Sequence, residues 1–158
     1  MTNMISQATA VRMLYMIWRV AYTLRQASVI TAAITPRQYR NASERGRVYG
    51  ELADTFHDAT VYAFDIAGEL AAVTGVASQP VLTLQYQNPD ALYDTAAMAQ
   101  FLATIGETLA TPLAVLQEYV NTEPDYQNPT NVALSQAYLM LYSVSNHLEA
   151  MAARIRIV

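Results

Sequence analysis

Residues 13–24 read MLYMIWRVAYTL, and the spacing of the apolar residues in this stretch decides the fold class. The apolar positions recur every three or four residues, so in a helix of 3.6 residues per turn they share one face. They are Met13, Leu14, Ile17, Val20, Ala21 and Leu24. The pattern continues on both sides and predicts an amphipathic helix over about residues 7–34.

The rest of the chain also has helical periodicity. A turn at residues 35–36 precedes a second predicted helix over about 36–74, and further helices are predicted over about 91–121 and from 130 almost to residue 158. The only β-like run in the sequence, 81–84, is too short to build a sheet. We therefore predict an all-α chain in which an N-terminal helix-turn-helix arm is followed by a compact helical bundle.

Local residue types add detail to these helices. Asp90 and Thr130 can cap the third and fourth predicted helices. Pro112 is expected to kink or break the third helix, because proline has no N–H to donate. Gly46 and Gly50 lower the helix propensity by about 1 kcal/mol each, which makes this region a candidate bend between arm and body.

Composition indicates a surface that is covered by something other than water. Apolar residues make up 53% of the 158 residues and charged residues only 14%, against a usual charged share of about a quarter. A neighbouring subunit, a nucleic acid or a lipid would cover such a surface. The absence of cysteine excludes disulfides and thiolate metal sites. No secretory pattern is found, and the longest uncharged stretches, 70–89 and 126–147, are too polar to predict membrane spans.

Charge divides the chain unevenly. Residues 1–47 contain seven arginines and one acid, Glu44, whereas residues 48–158 contain twelve acids and two arginines. The total is −4, and every cation is an arginine, whose planar fork binds phosphate through two hydrogen bonds. A basic arm on an acidic body is typical of a segment that neutralises a polyanion, although it also suits head-to-tail packing of subunits. We predict two units, a basic helical arm over residues 1–50 and an acidic bundle over residues 51–158.

Arginine and tyrosine alternate along one edge of the first predicted helix. Successive residues turn by about 100°, so five polar side chains fall within a sector of about 80°. They are Arg12, Tyr15, Arg19, Tyr22 and Gln26. This edge lies opposite the apolar face, so the helix can pack on protein with one side and offer guanidinium and phenol groups to phosphates with the other. An amphipathic helix with ordinary solvated arginines has the same pattern.

The polar stripe of the second predicted helix changes sign near Gly50. Arg40 with Glu44, and Arg47 with Glu51, have i,i+4 spacing and are predicted to form ion pairs worth about 0.2 to 0.5 kcal/mol each. An arginine that is paired in this way has less to offer a phosphate.

Signals for catalysis or metal binding are weak. His57 and His147 fall on different predicted helices, and the Glu-x-x-His motif of di-iron bundles is missing. Asp54, His57 and Asp58 can reach a metal ion from one helix turn, but such a group is far more often a solvated helix face. The sequence has no glycine-rich phosphate loop and no nucleophile elbow. We predict a protein that is not an enzyme and holds no metal and no cofactor.

This layout resembles the major coat proteins of filamentous archaeal double-stranded DNA viruses, that is, the rod-shaped and enveloped families and the tristromavirus type most of all. The resemblance spans the whole chain and rests on the arginine-bearing helical hairpin, the turn at residues 35–36 and the helical body. In that family the helical arms of a coat-protein dimer wrap the duplex and hold it in the A-form. The resemblance implies a capsid protein of the virion whose partners are double-stranded DNA, a second copy or a paralogous coat protein, and in enveloped relatives a lipid envelope.

Carried onto this sequence, the resemblance implies a set of DNA-facing residues in the arm. They are Arg12, Arg19, Arg25, Arg37, Arg40, Arg45 and Arg47, with Tyr15, Tyr22, Gln26 and Asn41 as neutral phosphate donors. Contacts of this kind go to the phosphate backbone, so no base needs to be read. Since the total charge is −4, the implied neutralisation of the duplex is partial.

Two other functions compete with this one. A self-associating helical-bundle structural protein without nucleic acid, such as a phage tail or secretion-type component, would dock its arm into the acidic body of a neighbour. A ferritin-like metal-carboxylate enzyme is disfavoured because the histidine ligands are missing.

Overall fold

A computed structural model of the chain describes residues 6–34, 43–76 and 88–158. In chain order its α-helices are α1 (Gln7–Ile34), α2 (Glu44–Thr74), α3 (Thr95–Val120) and α4 (Pro129–Ile155). A short 3-10 helix, Pro89–Tyr93, precedes α3, and no strand occurs within the three described ranges. The all-α prediction is confirmed, and α1 has the predicted bounds.

Two predicted features fall outside the described residues. One is the turn at residues 35–36, with the first residues of the predicted second helix that follow it. The other is the β-like run at 81–84. Within the described residues α2 begins after Ser43, whose hydroxyl accepts the backbone N–H of Gly46 at 3.0 Å. This is the usual way in which an N-cap satisfies one of the free N–H groups of the first turn.

The prediction that Asp90 and Thr130 cap the last two helices is wrong. Asp94 caps α3, and Asn128 caps α4 by accepting the N–H of Thr130 at 2.9 Å. Proline explains both differences, because it favours the first positions of a helix. Pro129 begins α4, so the cap is the residue before it, whereas Asp90 lies inside the short 3-10 helix that starts with a proline.

The core is built on the apolar face of α1. All six apolar residues of the stretch 13–24 that predicted the helix are buried, and Leu14, Ala21 and Leu24 are 0% exposed. They pack mainly against α2, where Leu52 and Phe56 are also fully buried. Fully burying a side chain of this kind stabilises a fold by about 1.5 to 3 kcal/mol, so this helix pair supplies a large part of the hydrophobic stabilisation.

The four helices are arranged in the order α1, α2, α4, α3 around the bundle. The α1–α2 and α3–α4 pairs make the most extensive contacts, α2 and α4 make the next, and α1 and α3 make the least of the four neighbouring pairs. The α1–α3 side therefore has the least direct packing between neighbouring helices, and the short 3-10 helix contacts both of them. This side lies opposite the α2–α4 side.

The described residues of the predicted arm and body share one core in the single chain. The boundary predicted at residue 50 falls inside α2, which runs without interruption through Gly46 and Gly50. Both glycines are buried, and the core cluster takes residues from all four helices. The described residues 6–34 thus belong to the bundle here, and their role as an arm that wraps a duplex stays a prediction about the assembled state.

α3 continues past its proline. Of the kink or break predicted at Pro112, the break does not occur, since the helix extends from Thr95 to Val120 with Pro112 inside it, and the kink stays a prediction. Within the described part of the chain, α3 is the one helix that is long and apolar enough, by length and composition, to cross a membrane. Only 28% of its most apolar 18-residue window is buried, because α3 packs on α4 along one side and is open along much of the rest.

Tyr49 connects α2 to the segment that leads into α3. Its hydroxyl donates to the backbone carbonyls of Leu92 and Tyr93, each at 3.1 Å, and its side chain is buried. Burial raises the pKa of Tyr49 to about 12, because the phenolate is poorly solvated there, and the nearby charge of Arg45 offsets this only in part.

The first prediction concerns the pH dependence that Tyr49 creates. The pKa of Tyr49 is higher in the folded than in the unfolded protein. Its contribution to the free energy of unfolding is therefore fully present below about pH 10 and is lost as the pH rises towards 12. Tyr49→Phe should make this alkaline decrease smaller, as measured by urea unfolding at pH 8 to 12. An unchanged decrease would contradict the role of Tyr49, and Tyr142→Phe, an exposed tyrosine on α4, is the control.

The second prediction concerns Pro112. Replacing it with alanine restores an N–H donor and removes a ring that crowds the preceding turn, so Pro112→Ala should raise the free energy of unfolding by up to about 3 kcal/mol. Chemical denaturation measures this change. A clear loss of stability would show that the fold requires the proline.

Candidate nucleic-acid interface

α1 carries three exposed arginines, and two of them, Arg12 and Arg19, lie on its outward edge. Arg12, Arg19 and Arg25 are exposed, and Tyr15 between the first two is 44% exposed and packs edge-to-face on Trp18, with ring centroids 5.5 Å apart. Trp18 itself is buried in the core, so it holds the phenol of Tyr15 at the surface. The local cause is the helical period, because the apolar residues of α1 occupy the opposite face.

The α1 arginines have no acidic partner among the described residues. Arg12 donates to the hydroxyl of Thr9 at 3.4 Å, a neutral group that orients the guanidinium and leaves its charge in place. Arg19 and Arg25 form no ion pair within the described ranges. These three side chains therefore give α1 a positive charge that no described acidic residue compensates.

Two neutral residues of the predicted set are more closely held by the protein. Tyr22 is half-buried and packs edge-to-face on Phe64 of α2, with ring centroids 5.3 Å apart. Gln26 is also half-buried, and both side chains interact with other groups of the chain. The exposed part of the predicted edge consequently consists of Arg12, Tyr15 and Arg19, and Arg25 lies about 120° further around the helix.

The arginines at the start of α2 interact with the fold itself. Arg45 lies over the ring of Tyr93, 5.4 Å from its centroid, and Arg47 forms an ion pair with Glu44 one turn earlier. The predicted pair of Arg47 with Glu51 is wrong, because Glu51 accepts a hydrogen bond from Arg154 at 2.6 Å. Sequence spacing alone finds partners on the same helix and misses one that is 103 residues away.

Arg154 fastens the end of α4 to the start of α2. It bridges Glu51 and Glu44, and the hydrogen bond and negative charge of Glu51 raise the pKa of its guanidinium above the ordinary value. Arg156, two residues later, is exposed and has no ion pair among the described residues. Arg154 is thus a structural cation, and Arg156 is the matched control for the α1 arginines.

The predicted contacts at Arg37, Arg40 and Asn41 lie outside the described residues, as does the predicted Arg40 pair with Glu44. The described part of the candidate interface is therefore the α1 edge together with the first turn of α2.

A groove of about 320 Å³ lies beside this edge, between α1 and α3. Arg12, Tyr15 and Arg19 form one wall, with Met16 and Val20 nearer the core. The other wall is Thr108, Thr111 and Pro112 of α3, and none of the residues that line the groove is acidic. The sequence prediction missed the α3 wall, although the two threonines beside a proline within a predicted helix are a weak signal for it.

The opposite side of the bundle has a different character. A groove of about 510 Å³ between α2 and α4 is lined by Asp58, Tyr62, Leu139 and His147, among others. Tyr62 and Leu139 are 44% and 62% exposed. The groove beside Arg12 and Arg19 and this second groove, in which Asp58 is the one acidic lining residue, thus lie on opposite sides of the bundle. Among the described residues no three histidine, aspartate or glutamate side chains are placed to hold a metal ion.

Comparisons of the chain with protein-family models, with curated proteins and with solved structures gave no match. The geometry and charge of the described residues and the coat-protein resemblance of the sequence are therefore the basis for assigning a function.

Proposed function

We propose that this chain is a structural coat protein that wraps and packages double-stranded DNA in a helical virion, through sequence-independent phosphate contacts. The observation that carries the proposal is the surface of α1, where Arg12 and Arg19 on the outward edge, and Arg25 beside it, are exposed and have no acidic partner among the described residues. Arg45, Arg47 and Arg154 in contrast interact with the fold. The free positive charge of the described chain is concentrated where a polyanion can reach it.

The spacing of the α1 arginines suits the backbone of a duplex. From Arg12 to Arg19 the helix rises about 10 Å at 1.5 Å per residue, which corresponds to roughly three base pairs at 3.4 Å each. Each guanidinium can bind a phosphate oxygen pair, and Tyr15 adds a neutral donor between two of them. Such contacts fix the protein on the duplex without reading its sequence, as a packaging protein requires.

The acidic body restricts which surface meets the DNA. Asp58, Asp65 and Glu69 are exposed on α2, away from the α1–α3 side, so they would repel a duplex that approached from that direction. The proposed assembly places α1 towards the duplex and the acidic side towards other subunits or the outside. Its partners are the duplex, a second copy or a paralogous coat protein and, if the particle is enveloped, lipid at the outer surface.

The third prediction tests this interface. Arg12→Gln with Arg19→Gln should weaken duplex binding equally for two unrelated DNA sequences and should reduce the slope of log affinity against log salt by about 2, since each phosphate contact contributes roughly 0.9. Fluorescence anisotropy over a series of salt concentrations measures both quantities.

Arg156→Gln is the control, because it removes an equally exposed arginine from the other end of the chain. It should leave affinity and slope nearly unchanged. The proposal would be overturned if Arg156→Gln weakened binding more than either α1 substitution, or if the double α1 variant bound DNA with the slope of the original protein.

A second candidate function, a filament formed without nucleic acid, is favoured by one observation. Asp58 and Asp65 on α2 are separated by seven residues, as are Arg12 and Arg19 on α1, and both pairs are exposed on different sides of the bundle. A contact between unlike surfaces on two sides of a molecule is heterologous and produces open helical filaments. In this function the α1 edge of one copy would dock against the α2 face of the next.

The fourth prediction separates the two functions. Under our proposal, Asp58→Asn with Asp65→Asn leaves duplex affinity and its salt slope unchanged or slightly raises affinity, because two repelling charges are removed. The second candidate requires instead that this variant abolish self-association of nuclease-treated protein in sedimentation experiments at low salt. The second function would be established if self-association returned in a variant with acidic residues at Arg12 and Arg19 and arginines at Asp58 and Asp65.

A further inference from the structure

The α1–α3 groove has an unusual balance of charge. Arg12 and Arg19 are seven residues apart on one wall, and the facing wall on α3 offers only neutral groups. Two guanidinium groups beside a groove without a carboxylate create a strongly positive potential at that point. The groove is open to a ligand because α1 and α3 make the least extensive contact between neighbouring helices.

The threonines of α3 differ in what their hydroxyl groups already bind. Thr104 Oγ1 donates to the carbonyl of Gln100 at 3.0 Å, and Thr108 Oγ1 donates to the carbonyl of Thr104 at 3.0 Å. Thr111 is exposed and has no side-chain hydrogen bond to any described residue. Among these three residues it is the one whose hydroxyl proton is available to a ligand in the groove.

We propose that the α1–α3 groove is a phosphate-binding site in which Thr111 donates its hydroxyl to a phosphate oxygen that Arg12 and Arg19 also bind. The ligand chemistry is that of a phosphate group, supplied either by the phosphodiester backbone of DNA or by free phosphate. The part of this proposal that concerns DNA rests on the proposed function. It adds α3 to an interface that the sequence predicted on α1 and α2 alone.

The neutral donor and the two cations have separate functions in this site. The guanidinium groups supply charge, so they determine the salt dependence of binding. Thr111 supplies a directed hydrogen bond to a charged acceptor, which is stronger than a bond between neutral groups but releases no counterion. Loss of Thr111 therefore lowers affinity without changing the salt slope, whereas loss of Arg12 or Arg19 lowers both.

The experiment compares Thr111→Val with Thr104→Val in the full chain. Valine keeps the β-branched shape, and Thr104 lies on the same helix but does not line the groove. Thr111→Val should weaken duplex binding about tenfold at constant salt slope, while Thr104→Val should not change it. Circular dichroism checks that both variants keep the helical content of the original protein.

Inorganic phosphate serves as the second probe. In NMR titrations it should shift the amide signals of Thr111 and Arg19 in the original protein and in Thr104→Val, with a weaker response in Thr111→Val. If Thr111→Val reduces the shifts caused by inorganic phosphate but leaves duplex affinity unchanged, the groove is a site for free phosphate. The part of the proposal that concerns DNA is then overturned.

Two further outcomes separate this proposal from the proposed function. If Arg12→Gln and Arg19→Gln weaken duplex binding while Thr111→Val behaves like Thr104→Val with both probes, the phosphate site is wrong and the coat function stands. If the arginine substitutions also leave duplex binding unchanged, both proposals fail.

Discussion

The packing of α1 on α2 is the contact on which the rest of the structure depends. It buries residues such as Leu14, Leu24 and Phe56 completely, and it fixes the rotation of α1 about its own axis. Because the apolar face is held inside, the arginines on the opposite edge are turned outward. The hydrophobic period that builds the core therefore also determines where the positive charge lies, and the candidate interface follows directly from the fold.

The fold uses three of its other described arginines differently. Arg45 contacts Tyr93 and Arg154 contacts Glu44 and Glu51, which brings together segments that are far apart in the chain, whereas Arg47 pairs with Glu44 on its own helix. Exposed ion pairs of this kind contribute little to stability, so their main effect here is to reduce the charge available to a ligand. The separation between structural cations and available cations is a property of the folded chain that the overall charge of −4 does not reveal.

The helices could be predicted from the sequence because their apolar periods are long and regular, and the bounds of α1 follow from that period alone. The caps of α3 and α4 could not, since the positions of Pro89 and Pro129 shift the helix starts by a few residues. The α1 edge of the candidate site was predictable for the same reason as the core. The Glu51 partner and the α3 wall of the groove were not, because each depends on which helices become neighbours in the bundle, and local spacing carries no such information.

Electron cryomicroscopy of filaments assembled from the purified chain with duplex DNA tests the central claim most directly. The map should show the outward edge of α1, with Arg12 and Arg19, against the phosphate backbone of a duplex that is protected from nuclease. Filaments that form equally well after nuclease treatment, with the α1 edge seated on the α2–α4 side of the neighbouring subunit, would contradict the account.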